Sequence, residues 1–300
     1  MTTGPQSTGL VQTRPPALVN ERWLADQDRR DVVVFEVDTD SSSYYTGHIP
    51  GALPLDWYDD LHECVRRGPL SQEHFEQLMR RNGVGADSHV VLAGVRGTAH
   101  AAHAYWLLRY YRHARVSLLD GGRRGWVDAG LPVEDVDPAP GAETGYRSPG
   151  PDHTIRVMRD DVLARYVAAP AGVVLLDCRT PEEYDGRSRH PMDLAVEHHR
   201  VSGRIPGALN LSSGLLLDAG GRFKPLLDLR RLFDARGVTA HSEVVVYCRA
   251  AERSALLWFG LRELLGHRTV RHYDGGWAEY GSLLDVPVSR SDEGSHPSPP

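Results

Sequence analysis

A cysteine that could act as a nucleophile lies between an apolar run and a helical pattern. Cys248 follows Val244-Val245-Val246-Tyr247 and precedes a stretch of helical periodicity that begins at Arg253. This order predicts a buried strand, a short loop and then a helix. The free backbone N–H groups at the start of a helix and the helix dipole would stabilise a thiolate, as would Arg249 and Arg253. A thiolate surrounded by donors can attack an electrophile and bind an anion, so the pattern predicts a reaction at this loop.

The length of the loop separates two kinds of cysteine chemistry. Four residues stand between Cys248 and Arg253, whereas a cysteine-dependent phosphatase has five between its Cys and its Arg. In this chain the residue six positions after Cys248 is Ser254. A shorter ring suits a smaller group, such as a sulfur atom carried on the thiolate. The loop contains no Asp to serve as the general acid of a phosphatase, and sulfur transfer can release sulfite, a good leaving group. The spacing favours sulfur transfer and leaves phosphate hydrolysis as a distant alternative.

The elements around this loop belong to a duplicated unit. Three blocks occur in both halves in the same order: an apolar run ending in Asp (Val32–Asp38 and Val173–Asp177), Ile-Pro-Gly-Ala (Ile49–Ala52 and Ile205–Ala208) and Asp-Gly-Gly (from Asp120 and from Asp274). The last pair is 154 positions apart, and the same offset places Gly94 opposite Cys248. One half would therefore be catalytic, and the other would be structural or would form one wall of a cleft between the domains.

The alternation of short β-branched runs with helical patterns indicates two α/β domains, each with a mostly parallel sheet flanked by helices. The helical patterns cover Gln72–Arg81, Ala99–Tyr111, Asp228–Arg236 and Arg253–Leu265. The predicted organisation is an N-terminal domain over residues 17–134, a Pro- and Gly-rich linker over 135–152 and a C-terminal domain over 153–289. Residues 1–16 and 290–300 are predicted to be disordered tails, because Ser, Thr, Gly and Pro offer little to bury.

The second half has about 17 more residues than the first between its apolar run and its Ile-Pro-Gly-Ala block. This insert, around Glu182–Ser202, contains a set of basic residues: Arg187, Arg189, His190, His198, His199 and Arg200. A long loop in a compact domain is often a lid or a binding loop, and a solvated surface excursion is an equally good interpretation. Arg187 begins the insert and is predicted to reach an anionic donor.

Composition limits the classes of function. The chain has 300 residues, which suits two domains. A net charge of -6 does not suggest binding to nucleic acid. We find neither an apolar stretch long enough for a membrane span nor the core of a signal peptide. Cys64, Cys178 and Cys248 give neither a disulfide framework nor a CxxC metal site, so we expect a reducing, cytoplasmic compartment.

The duplicated pattern, with one Cys-Arg-x-x-x-Arg loop in the second half, resembles the tandem-domain rhodaneses, the thiosulfate and 3-mercaptopyruvate sulfurtransferases. The resemblance covers roughly Pro16 to Ser289. It looks like the actinobacterial and cyanobacterial branch, whose loop reads Cys-Arg-x-Gly-Glu-Arg-Ser. The stretches that carry the resemblance are Tyr247–Ser254, Trp258-Phe259, Leu261–His267 and Tyr273–Leu283.

The resemblance implies a ping-pong reaction. The Cys248 thiolate would attack the outer sulfur of thiosulfate, sulfite would leave, and cyanide or a thiol acceptor would take the sulfur from the resulting persulfide. Arg249 and Arg253 would attract the anionic donor. The backbone N–H groups that would cradle the persulfide are those of Arg249, Ala250, Ala251, Glu252, Arg253 and Ser254. No metal or organic cofactor is needed, and two domains in one chain lead us to expect a monomer.

The loop departs from the pattern of the family. Ala251 stands where the family usually has Gly, and Ala250 stands where some thiosulfate enzymes have Lys. If position 251 needs a positive φ, alanine costs about 1 kcal/mol there. Mercaptopyruvate sulfurtransferases usually have Cys-Gly-Ser-Gly, so mercaptopyruvate ranks second as the donor. The other alternative is a persulfide carrier that takes sulfur from a protein donor and serves a biosynthetic pathway, with a protein as its sulfur acceptor.

The run Asp177-Cys178-Arg179 resembles the Asp-x-Arg segment of the family. Arg179 either faces the anionic donor or pairs with Asp177 or Glu183 to fix the loop, and the pairing is the favoured interpretation. Cys178 is predicted to be a small packed residue, with a resolving cysteine as the lesser alternative.

Overall fold

The computed structural model describes residues 15–28, 30, 32–63, 68–187 and 200–291. Several predictions fall outside these ranges: the tails at 1–14 and 292–300, Cys64, and Arg189, His190, His198 and His199 of the insert. The Pro16 carbonyl oxygen accepts a hydrogen bond of 2.6 Å from the Ser117 hydroxyl. The Arg290 Nε donates to the Ser202 carbonyl oxygen over 2.8 Å. Both residues, which we had placed in the tails, therefore contact the folded domains.

The first half forms a parallel sheet of five strands in the order β1-β5-β4-β2-β3. The strands are β1 Leu18–Val19, β2 Val32–Asp38, β3 Ala52–Asp56, β4 His89–Gly94 and β5 Val116–Leu119. The helices are α1 Glu21–Ala25, α2 Gln72–Arg81, α3 Thr98–Tyr110 and α4 Gly122–Asp128. Every residue of β4 is buried, as expected for a parallel sheet covered on both faces.

The second half forms a parallel sheet of four strands in the order β7-β6-β8-β9. The strands are β6 Val173–Asp177, β7 Leu209–Asn210, β8 Glu243–Tyr247 and β9 Val270–His272. The helices are α5 Arg159–Asp161, α6 Pro181–Tyr184, α7 Leu226–Asp234, α8 Glu252–Phe259 and α9 Gly276–Tyr280. Single π-helical turns extend α5 to Tyr166 and α8 to Leu264. The two sheets confirm the predicted pair of α/β units.

Local sequence explains where two of these helices begin. The Ser71 side chain caps α2 by accepting a hydrogen bond from the His74 N–H, and α2 has the bounds that its periodicity predicted. At α6, Thr180 and Glu183 form a capping box, and Pro181 occupies the first turn. The short helix α6 is therefore specified by its own residues.

The two domains share one hydrophobic core. Helix α3 of the first domain packs against α8 of the second. The Tyr105 ring meets the Phe259 ring edge to face with 4.8 Å between centroids, and Phe259 also stacks on Phe223. At the start of α3, the Thr98 hydroxyl donates to the Gly221 carbonyl oxygen over 2.7 Å. The helix that follows Cys248 is thus held by both domains.

Residues 135–152, the predicted linker, run along the first domain. The Tyr146 side chain is buried. Arg147 forms an ion pair of 2.8 Å with Glu76 of α2, and the Ser148 N–H donates to the same carboxylate over 3.0 Å. This part of the segment therefore packs against the first domain and is not an unpacked linker between the two domains.

Candidate active site

Cys248 lies at the carboxyl end of the second sheet. It directly follows β8, which lies between β6 and β9, and α8 begins four residues later at Glu252. Parallel α/β sheets place their binding sites at this edge, because the loops from strand to helix gather there. The strand, loop and helix predicted around Cys248 are all present.

The Asp-Gly-Gly repeat supports the cysteine loop through the backbone. Gly276 has a φ of 54°, and a Cβ at this position would lie 2.6 Å from the Cys248 carbonyl oxygen. In the first domain Gly122 has a φ of 55°, and its Cβ would lie 2.2 Å from the Gly94 carbonyl oxygen. Only glycine allows so close an approach. The repeat therefore marks the same backbone contact in both domains, opposite Cys248 in one and opposite Gly94 in the other.

Ala251 has a φ of 83° and occupies the N-cap position of α8. The family loop has Gly here, and the structure shows why: the backbone adopts a positive φ that a Cβ disfavours. Alanine at such a position costs about 1 kcal/mol. Position 251 thus has the positive φ at which alanine was expected to be unfavourable, and the loop is strained at this residue.

The Cys248 sulfur is buried between two polar side chains. Its Sγ lies 3.4 Å from the Ser254 Oγ and 3.9 Å from the Glu252 Oε2. Burial and the Glu252 carboxylate raise the pKa of the Cys248 thiol to about 11, although Arg253 and Ser254 act in the opposite direction. Burial therefore opposes the thiolate that the sequence pattern led us to expect, and the donors around the sulfur do not fully offset it.

Glu252, the first residue of α8, carries a negative charge beside the sulfur. Burial opposes its ionisation, but Arg253 and the backbone N–H at the helix start outweigh burial and lower the pKa of the carboxyl. His100 of α3 also lies near this carboxylate, but burial lowers the pKa of His100, so its imidazole is uncharged near neutral pH and adds no positive charge there.

Arg253 is held by two carboxylates. Its Nη1 and Nη2 bind Glu183 of α6 over 2.6 and 3.1 Å, and its Nε lies 3.3 Å from Glu252. Burial would raise the pKa of the Glu183 carboxyl, but Arg253 lowers it to about 2. Arg253 therefore ties α6 to the cysteine loop, and any attraction for an anionic donor is reduced by the two acids.

Arg249 and Ala250 complete the loop. The Arg249 side chain is buried, and its carbonyl oxygen accepts a hydrogen bond of 3.0 Å from the Ala278 N–H. Ala250 is partly buried and packs against the shared core. The loop is thus anchored by backbone contacts on one side and apolar contacts on the other.

Arg179 is committed to structural contacts. Its Nε and Nη2 bind Asp177 over 2.9 and 2.5 Å, and Nη2 also donates to the Gly203 carbonyl oxygen over 2.7 Å. The guanidinium lies over the Trp277 ring and is buried. Its assignment as a contact of the donor is therefore corrected: Arg179 fixes the end of β6, as the favoured interpretation of the sequence stated.

Arg187 is exposed and forms an ion pair of 2.6 Å with Asp185. Within the described residues, no hydrogen bond or ion pair joins it to the cysteine loop. The structure therefore does not bring Arg187 together with the other predicted site residues.

Cys178 directly follows β6, as Cys248 follows the neighbouring strand β8. Asp177 pairs in register with Tyr247, and the Cys178 N–H donates to the Tyr247 carbonyl oxygen over 2.8 Å. Burial raises the pKa of the Cys178 thiol, and the nearby Cys248 adds to that effect. These surroundings agree with a packed, unreactive thiol.

One residue of the site escaped the sequence reasoning. His272, the last residue of β9, is buried with its Nε2 2.7 Å from the Ser254 Oγ. The alignment of the two halves could have singled out this residue, because the offset of 154 places Leu118 opposite His272. A histidine at a buried strand position where the other half has leucine needs a polar partner.

The sequence matches a known family model, described as a rhodanese-like domain, twice, over residues 20–129 and 161–283. The chain belongs to the rhodanese family. Both domains of this rhodanese match the model, including the first, which has Gly94 where the second has Cys248.

Curated relatives resemble this rhodanese along nearly its whole length. A protein of Saccharopolyspora erythraea named "Putative thiosulfate sulfurtransferase" is 40% identical over 94% of this chain and 99% of its own. The sulfur carrier protein TtuD of Thermus thermophilus is also 40% identical, over 93% of this chain and 98% of its own.

Solved structures agree with this assignment. The crystal structure of YnjE has a TM-score of 0.80 and 25% identity, over 91% of this rhodanese and 68% of that chain. The wild-type structure of EanB shares the fold, with a TM-score of 0.79 and 21% identity over 91% and 69% of the two chains.

Among the described residues, the helices are too short or too polar to cross a bilayer. In the same residues, no group of three or more His, Cys, Asp or Glu side chains could hold a metal ion.

Proposed function

We propose that this rhodanese is a sulfurtransferase that carries sulfane sulfur on Cys248, with thiosulfate as the donor. The observation that carries the proposal is the place of Cys248 at the carboxyl end of the second sheet, in a four-residue loop that opens α8. The names of relatives that are 40% identical, a thiosulfate sulfurtransferase and a sulfur carrier, support the same chemistry.

The reaction has two half-reactions on one sulfur atom. Cys248 loses its thiol proton, its thiolate attacks the outer sulfur of thiosulfate, and the S–S bond of the donor breaks. Sulfite leaves with the electron pair, and Cys248 becomes a persulfide. The acceptor, cyanide or a thiolate, then attacks the outer sulfur of the persulfide and returns Cys248 as a thiolate. Each half-reaction forms one bond to sulfur and breaks one, so no external oxidant is needed.

In this proposal the loop residues have different tasks. Ser254 stabilises the sulfur anion by its hydroxyl and its backbone N–H, both of which lower the pKa of Cys248. Arg253 lowers it by charge, while its bonds to Glu183 keep the loop attached to α6. Arg249, Ala250 and Ala251 would offer backbone N–H groups to the persulfide.

The first domain would support the second and would form one wall of the cleft between the domains. It lacks a cysteine at Gly94, and it packs α3 against α8. We therefore propose that residues 17–134 contribute no covalent step.

The second candidate is a persulfide carrier that receives sulfur from a protein donor. The position of Glu252 favours it: a carboxylate 3.9 Å from the sulfur repels a dianion such as thiosulfate at close range. Mercaptopyruvate, which has a single carboxylate remote from its sulfur, remains the alternative small donor, although the loop lacks the Gly-Ser of the enzymes that use it.

The test measures sulfite release from thiosulfate with cyanide as the acceptor, and pyruvate release from mercaptopyruvate. We expect turnover of thiosulfate by the wild type and none by Cys248→Ala. Cys178→Ala is the matched control, since it removes the neighbouring buried thiol and should retain turnover. Intact mass after exposure to the donor should show one added sulfur atom in the wild type and in Cys178→Ala only.

Turnover that survives in Cys248→Ala would refute the role of Cys248. If the wild type turns over neither donor but gains a sulfur atom from a protein persulfide, the carrier is the correct function.

A further inference from the structure

His272 reaches the Cys248 sulfur through one intervening side chain. It ends β9, beside β8, and is fully buried. Its Nε2 lies 2.7 Å from the Ser254 Oγ, which in turn lies 3.4 Å from the Cys248 Sγ. The reaction proposed above assigns no task to this histidine.

The Ser254 hydroxyl has one hydrogen and more than one acceptor. Besides the Cys248 sulfur and the His272 Nε2, the Ala251 carbonyl oxygen lies 3.0 Å from Oγ. If Nε2 has no hydrogen, it accepts the one from Ser254, and none is left for the sulfur. If Nε2 has a hydrogen, His272 donates to Oγ, and the hydroxyl is free to turn towards the sulfur. The tautomer of His272 therefore decides whether Ser254 can donate to Cys248.

The surroundings of His272 favour the tautomer with hydrogen on Nε2. Nδ1 is buried and has no hydrogen-bond partner among the described residues. Buried N–H groups without a partner are rarer than buried acceptors without one, so Nδ1 is better left without hydrogen. The Trp106 ring packs at a right angle to the imidazole, with 4.7 Å between centroids.

The imidazole remains neutral at ordinary pH. Burial lowers the pKa of His272 to about 4. Of the groups that face it, Asp274, Glu252 and the Ala251 backbone favour its charge and Arg156 opposes it, and burial outweighs them. Asp274 and Arg156 pair with each other over 2.7 Å. His103 of α3 approaches from the first domain, with 6.3 Å between ring centroids, and is itself uncharged because burial lowers its pKa. His272 is therefore a neutral hydrogen-bond donor.

We propose that His272 is a positioning residue that orients the Ser254 hydroxyl so that it donates to the Cys248 sulfur and stabilises its anion. This rests on Cys248 being the reactive sulfur of the proposed function. When Cys248 ionises, its proton leaves to a base in solvent and the Ser254 hydrogen turns from the Ala251 carbonyl oxygen to Sγ. The hydrogen on Nε2 stays in place, so no proton passes through His272.

The test is the pH dependence of Cys248 alkylation by iodoacetamide, followed by mass spectrometry of the Cys248 peptide in the full-length protein without a sulfur donor. We expect His272→Leu to slow alkylation about tenfold near pH 8, because loss of the oriented donor raises the pKa of Cys248 by about one unit. Ser254→Ala should give a similar loss, and the double variant no larger one. His272→Gln, whose amide N–H can take the place of Nε2–H, should recover most of the rate.

Two controls separate orientation from packing. His89→Leu removes another buried histidine, whose Nε2 lies 2.7 Å from the Ser117 Oγ in the first domain, and its alkylation rate should match the wild type. Glu252→Gln removes the negative charge beside the sulfur and should raise the rate, which shows that the assay reports the charge of Cys248. If His272→Leu does not fold, His272→Asn replaces it, since its shorter amide ends near the place of Nδ1 and does not reach Ser254.

An unchanged rate in His272→Leu, or equal losses in the Leu and Gln variants, would overturn the proposal. Additive losses in the double variant would overturn it too, because His272 is proposed to act only through Ser254. Since no sulfur donor is present, the outcome does not depend on whether thiosulfate is a substrate. Failure of turnover and failure of this inference are therefore distinguishable.

Discussion

The backbone at Ala251 adopts a conformation that residues with a Cβ avoid. Its φ is 83°, and it also occupies the N-cap position of α8 without a side-chain hydrogen bond. Glycine is favoured over alanine on both grounds. We predict that Ala251→Gly raises the free energy of unfolding by about 1 kcal/mol, measured by urea denaturation.

Ala250 provides the matched control for this substitution. It is the adjacent loop residue, it has no positive φ, and it packs against the shared core. Ala250→Gly should therefore lower the free energy of unfolding by about 0.5–1 kcal/mol. If both glycine variants were destabilised, strain at Ala251 would not be the reason for the glycine of the family.

At the scale of elements, the ion pair between Glu183 and Arg253 joins α6 to the start of α8. Both side chains are largely buried, and the pair has two hydrogen bonds of 2.6 and 3.1 Å. Removing one partner leaves the other charge poorly compensated in a desolvated place. We predict that Glu183→Gln lowers the free energy of unfolding by about 3 kcal/mol in urea denaturation.

The neighbouring acid of the same short helix is the control. Glu182 is exposed, so Glu182→Gln should change stability by less than about 0.5 kcal/mol. Equal effects of the two substitutions would show that the charge of α6, and not the buried pair, is what matters.

At the scale of the whole molecule, burial lowers the pKa of four of the histidines that are buried in the described residues. They are His89, His103, His113 and His272. The pKa falls to about 4 for His89, His113 and His272, and it lies well below its usual value for His103. In the unfolded chain a histidine titrates near pH 6.5, so below that pH the unfolded state binds more protons than the folded one.

We predict that stability falls as pH drops from about 6.5 towards 4, by at most about 1.4 kcal/mol per pH unit for each buried histidine. Glu36 and Asp120, whose pKa values burial raises, oppose this trend at the acidic end. The measurement is the free energy of unfolding against pH. His89→Gln should give a shallower slope than the wild type, and a flat profile between pH 6.5 and 5 would contradict the prediction.

The duplication made much of this fold predictable from the sequence. Residues that contact their own neighbours along the chain carry local signals: the periodicity of α2, the capping box of α6, and the apolar runs that became β2 and β6. The cysteine loop was predictable for the same reason, because strand, loop and helix are contiguous from Glu243 to Phe259. The repeat also identified Gly94 as the counterpart of Cys248.

The properties of the site depended on residues far apart in the chain. The acid that binds Arg253 lies 70 residues away, and the histidine beside Ser254 of α8 lies 18 residues away at the end of β9. The raised pKa of the Cys248 thiol followed from burial, which the sequence alone does not reveal. The sequence by itself thus determined the family of folds, the two domains and the identity of the loop, since these follow from local pattern and repetition. Only the tertiary structure decided the charge on Cys248, the pairing of Arg179 and Arg253 and the place of His272, because desolvation and ion pairing depend on which side chains meet in space.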